Sequence, residues 1–105
     1  MSGISSAPGK PVIAYGSYTG DNTANRSIPH GLTATPKYVL ITETGGSWQI
    51  SRIIGASLVT ISATPTLVRY SVGAIDGTNF HVGNATSYPN SANATGGTYA
   101  WIAFA

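Results

Sequence analysis

The chain has 105 residues, of which five are Lys or Arg and three are Asp or Glu, with a net charge of +2. A soluble domain of this length ordinarily carries roughly 26 charged residues, so carboxylate pairs, metal cages and basic nucleic-acid surfaces have almost nothing to be built from. Cysteine is absent, which removes disulfides and thiolate ligands.

A chain this short forms one domain with a single core. With so few charges, its surface is solvated by Ser, Thr, Asn and backbone, or else covered by partners; the second reading is favoured here. No apolar leader stands at the start and no run approaches the roughly 18 apolar residues of a membrane span. The expectation is a chain made in the cytoplasm, with no signal peptide and no membrane insertion.

Residues 1–11 are small and polar and include Pro8 and Pro11, which predicts a flexible or docking arm ahead of one domain over 12–105. Residues 12–18 read as a first strand, 19–25 as a turn-rich loop and Arg26-Ser27-Ile28 as a short extended piece. Residues 37–43 (Lys37-Tyr38-Val39-Leu40-Ile41-Thr42-Glu43) are nearly continuous in apolar character, as expected of a strand covered on both faces, in the middle of a sandwich or at a subunit contact. After the turn at 44–47, alternation places Trp48, Ile50 and Arg52 on one face. Strands over 58–62 and 66–72 follow, and Asp76-Gly77 predicts a hairpin between 73–75 and 79–83.

Residues 84–97 have no apolar period and are long for a connector, so they read as a functional or interface loop. The closing segment 98–105 alternates, with Tyr99, Trp101 and Ala103 on one face and Ala100, Ile102 and Phe104 on the other. So apolar a segment belongs in the middle of a sheet. No window carries helical spacing. The fold class is therefore all-β, an antiparallel jelly-roll-like β-sandwich of roughly seven or eight short strands with no substantial helix.

The chemistry-bearing residues are few and dispersed. Asp21, Glu43 and Asp76 each lie in or beside a turn, where a short carboxylate binds backbone N–H groups. Asp21 with Asn22 and Asn25 offers calcium one carboxylate where several are usual. His30 and His81 lack further ligands for zinc. No serine lies in a nucleophile-elbow context. No catalytic, metal or cofactor residue is assigned. Within the 84–97 loop, Tyr88 with Asn84, Asn90 and Asn93 has the composition of a glycan contact, a flat ring to stack and amides for hydroxyls. Arg52 and Arg69 fall inside strands, where an unpaired charge is costly, so with Trp48 and Trp101 they are the candidates for a subunit interface.

Residues 16–28 leading to Gly31-Leu32 and 36–41, then Asn79-Phe80-His81-Val82-Gly83, then residues 93–104, form a pattern spanning almost the whole chain. It resembles the Y-x-G-n-G … I-x-x-G-F-x-P-x-x-V-x-I … F-x-V … N-x-x-G-x-x-Y-x-x-x-A-F pattern of β-rich domains in tailed-bacteriophage fibres, receptor-binding tips and capsid-attached fibres. Leu32 stands where that pattern commonly has an aromatic, and Asn22 where it commonly has glycine. The resemblance implies a non-enzymatic virion surface protein, a short fibre, tip or capsid decoration, with a homotrimer as the favoured oligomer. It also implies docking to other virion proteins through residues 1–11, with a host-surface glycan as a further target. The alternative is a free lectin-like module that uses the 84–97 loop.

Overall fold

The computed structural model describes the backbone of residues 2–5 and residues 12–45, 49–61 and 67–105 in full. Among the described residues nine strands form: β1 (Ser2–Ser5), β2 (Ile13–Thr19), β3 (Arg26–Pro29), β4 (Tyr38–Gly45), β5 (Ile50–Ile54), β6 (Ser57–Ile61), β7 (Leu67–Ser71), β8 (Asn79–Val82) and β9 (Thr98–Phe104). A single 3-10 turn at Pro89–Ser91 interrupts the long loop. All strand pairings are antiparallel: a seven-stranded sheet in the order β1-β2-β9-β4-β5-β6-β7 and a two-stranded ribbon β3-β8. The all-β class is as expected. The fold is sandwich-like, its second layer being the ribbon plus loops. No helix among the described residues is long and apolar enough to cross a membrane.

β9 lies at the centre, with β2 on one side and β4 on the other. Alternation along β9 sends Tyr99, Trp101 and Ala103 inward, where they meet Ala14 from β2, Val39 and Ile41 from β4, Ile53 from β5 and Leu58 from β6. The ribbon closes this layer with Ile28, Phe80 and Val82, and the connections add Leu32, Val72, Ile75 and Ala92. Phe80 meets the Trp101 ring edge-on at 5.2 Å between centroids. Gly16 is the cross-strand partner of Trp101, and a Cβ there would come within 2.7 Å of the indole. Glycine on β2 therefore makes room for the largest side chain of the core.

Three local features bear on the sequence reading. Ser2–Ser5 pairs with β2 at the edge of the large sheet, so the N-terminal segment begins with a strand; residues 6–11 lie outside the described residues. Among the described residues β4 is covered on its inner face alone, with Tyr38 exposed and Leu40 half-buried on the other, so it is not the middle of a sandwich, and a subunit contact is the expectation that stays open. The hairpin expected at Asp76-Gly77 does not form. Asp76 Oδ1 does accept from the Thr78 and Asn79 backbone N–H groups at 2.8 and 2.7 Å. However, β8 pairs with β3, and residues 72–75 bond to the β5–β6 turn through Val72 N–H to Ala56 O and Ile75 N–H to Gly55 O. That path carries Val72 and Ile75 into the core, a gain the isolated turn signal does not register.

Gly83 ends β8 with φ +93, and a Cβ there would lie 2.1 Å from the Thr23 carbonyl oxygen. Gly83→Ala combines a left-handed backbone with a backbone clash, each typically costing about 1–3 kcal/mol. The expected loss is about 2–4 kcal/mol, measured as a lower urea midpoint with an unchanged slope.

Candidate functional site

The two faces of the large sheet differ sharply. Cross-strand register aligns Tyr15, Ile102, Leu40, Arg52, Val59 and Arg69 in one row across six strands on the outer face. A neighbouring row holds Ser17, Ala100, Thr42, Ile50, Ile61 and Leu67. On the other side of the central row, Tyr38 stacks on Phe104 at 4.8 Å, and Ile54 follows on β5. Nothing in the isolated chain covers this surface among the described residues. Every large hydrophobic side chain that is exposed there (Tyr15, Tyr38, Ile50, Ile54, Ile61 and Leu67) lies on it, with Leu67 70% and Ile54 55% accessible.

Such gathering is the significant point, since single exposed apolar residues are ordinary and a contiguous patch is not. Burying each of these half-exposed side chains would contribute about 1 kcal/mol. Between β4 and β7 the surface dips into a groove of about 320 Å³, floored by Leu40, Val59 and Ile61 and flanked by Arg52 and Arg69. Neither arginine has an ion-pair partner among the described residues, and no acidic side chain stands on this face. Their aliphatic stems extend the apolar floor while the guanidinium groups remain in water.

Arg52 and Arg69, expected at a subunit interface, thus share one groove. Trp101 does not join them: it is 4% exposed and packed inside its own chain, because its strand turns that face to the ribbon. Trp48 lies outside the described residues.

The expected glycan-contact residues are mostly occupied by the loop itself. Asn84 Nδ2 donates to Ser71 O at 2.9 Å, and its Oδ1 accepts from Thr86 N–H. Asn90 Nδ2 reaches the Tyr70 hydroxyl at 3.4 Å, and Thr60 Oγ1 donates to the Asn90 carbonyl. Tyr88 is half-buried and caps the 3-10 turn, its carbonyl accepting from the N–H groups of Ser91 and Asn93.

Asn93 corrects the expectation outright. It is 0% exposed, and both amide atoms are bonded: Nδ2 donates to Asp21 Oδ1 at 2.9 Å and Thr23 O at 2.8 Å, while Oδ1 accepts from Asp21 N–H and Arg26. It clasps the 19–25 loop against the end of the long loop.

Arg26 completes that clasp. It donates to Thr19 O at 2.6 Å, lies 3.6 Å from Asp21 and sits over the Tyr18 ring. Tyr18 stacks on Tyr99 at 5.0 Å and donates its hydroxyl to Ala92 O at 2.6 Å, and burial pushes its pKa far above the usual phenol range. It stays a neutral donor. Asn22 adopts φ 56, the left-handed conformation glycine would supply at that position, and its Oδ1 accepts from Thr95 N–H.

His30 is structural too. Leu32 N–H donates to His30 Nδ1 at 3.0 Å, so Nε2 carries the proton and donates to Asp76 O at 2.8 Å. No cluster of metal-ligating side chains occurs among the described residues.

Hydrogen bonds from Thr23 and Asn93 hold the Asp21 carboxyl below its usual pKa, and those from the Asn79 and Thr78 N–H groups do the same for Asp76. A carboxyl whose folded pKa is depressed adds stability above its unfolded pKa of about 3.9 and loses it as pH falls through the folded value. The melting temperature should therefore be flat above about pH 5 and fall below pH 4. Asp21→Asn/Asp76→Asn should flatten the acid limb in a thermal-melt series; an unchanged limb would locate acid sensitivity elsewhere.

No protein-family model, curated protein or solved structure matches this chain.

Proposed function

We propose that this chain is a non-enzymatic structural protein of a bacteriophage particle surface, a short fibre, tip or capsid decoration, built into its assembly through the outer face of the seven-stranded sheet. One observation carries the assembly half of the proposal: the exposed large hydrophobic side chains gather on a single sheet face. A face of this kind is a cost to a free monomer and an asset to a built-in subunit. The scarcity of charge points the same way, because three acids and five bases leave little to keep a free chain apart from its neighbours. The phage half rests on the resemblance across residues 15–105, which reaches the turns and strands that make up the clasp and the central strand.

The lectin alternative has less to draw on, since Asn93 is buried and the Asn84 and Asn90 side chains each bond within the chain. Electron cryo-microscopy of purified particles that encode this chain tests the reading. Copies at regular surface positions, with the outer sheet face against a neighbour, are the expected result. Particles that lack the chain, or copies presenting that face to solvent, would overturn it.

A further inference from the structure

Resting on that assembly reading, we infer that the outer face docks on an apolar, carboxylate-bearing surface of a different protein, not on a second copy of this chain. The inference comes from charge. Arg52 and Arg69 flank Val59 from strands two apart, with Val59 the direct cross-strand partner of each. Two strand spacings put their backbones about 9.6 Å apart. In water such a pair repels by only about 0.4 kcal/mol, but the repulsion grows about fourfold at the effective dielectric of a partly dry contact. A partner that excludes water must therefore bring negative charge.

The chain itself has too little to bring. A two-fold axis through Val59, parallel to the strands, would set Arg52 of one copy against Arg69 of the other and place four guanidinium groups in one apolar seam. Other surfaces of the chain do no better. Asp21 is engaged by Arg26, Thr23 and Asn93, and Glu43 is 6% exposed. That leaves Asp76, whose Oδ1 already accepts two backbone N–H groups. One such carboxylate cannot answer two arginines. The fitting partner presents carboxylates roughly 10 Å apart among apolar side chains, as at positions i and i+7 of a helix or on alternate strands of a sheet.

Sedimentation velocity tests this with the chain as its own probe. Arg52→Glu/Arg69→Glu supplies the same apolar face bearing two carboxylates at the required spacing. The wild type alone and the variant alone should remain monomeric through this face. Their equimolar mixture should form a 1:1 complex at least about tenfold tighter than either self-association, weakening about tenfold between 0.05 and 0.5 M NaCl. Thermal melts establish that the variant is folded. Should it not fold, Arg52→Gln/Arg69→Gln serves instead, and that neutral face should self-associate more strongly than wild type.

A wild-type homo-oligomer that the Gln pair weakens would overturn the inference and leave the assembly reading intact. Binding of wild type to phosphatidylglycerol vesicles, lost in the Glu pair, would assign the face to an anionic membrane and also overturn it. If the mixture stays monomeric, the charge argument fails. The assembly reading fails separately, on particles that lack the chain.

Discussion

Trp101→Ala should lower folding stability by about 3–5 kcal/mol, the range for removing a buried large aromatic side chain. The indole lies in the middle of the central strand, opposite Gly16 on β2 and Ile41 on β4, and edge-on to Phe80 of the covering ribbon. Deleting it leaves a void bounded by two layers that cannot easily collapse, because β9 is fixed by pairing along both of its edges. Urea denaturation measures the loss directly, and Trp101→Phe should lose less than half as much. A variant that kept its unfolding midpoint while losing only oligomerisation would return Trp101 to a subunit seam.

The second large effect is expected at Asn93. Asn93→Ala removes hydrogen bonds to Asp21, Thr23 and Arg26 and releases the 19–25 loop from the end of the long loop. A cost of about 2–4 kcal/mol follows from about 0.5–1.5 kcal/mol for each hydrogen bond lost, reduced by water reaching the exposed Asp21 and Thr23. The variant carries a second signature. The Asp21 carboxyl is held low first by the Thr23 hydroxyl and then by Asn93, so its NMR titration midpoint should rise toward the usual value of about 3.9. A residue that only contacted glycans would change neither stability nor that titration.

These two residues also mark what was legible in the sequence. Alternation along 98–104 correctly separates Tyr99, Trp101 and Ala103 from Ala100, Ile102 and Phe104. It cannot say which set faces the core, because both sets are apolar. The deciding fact is Gly16, whose missing side chain admits the indole, and that pairing joins residues far apart in the chain. Asn93 is harder still. A polar residue in a long Asn-rich loop reads as surface, and its partners lie about 70 positions away in the chain. Arg52 and Ile50 were legible as one face because strand period alone fixes them. That Arg69 joins Arg52 required the β5–β6–β7 register, which turn geometry sets and composition does not. Asp76 was legible as a turn former but not as the end of a segment drawn inward by Val72 and Ile75.

The fold thus divides its charge by role. Arg26 and Asp21 close the clasp, Asp76 fixes a turn, and Arg52 and Arg69 stand on the apolar outer face with no acidic side chain opposite them among the described residues. A free monomer gains little from that last arrangement, whereas a subunit seated on an acidic neighbour gains both desolvation and charge pairing.

Hydroxyl-radical footprinting of the free chain and of the assembled particle tests the central claim most directly. Leu67, Ile54, Ile61 and Tyr38 should be strongly labelled in the free chain and protected in the particle, while Pro29 on the ribbon stays equally labelled in both. Equal labelling of the outer face in the two states, with protection on the ribbon instead, would contradict the account.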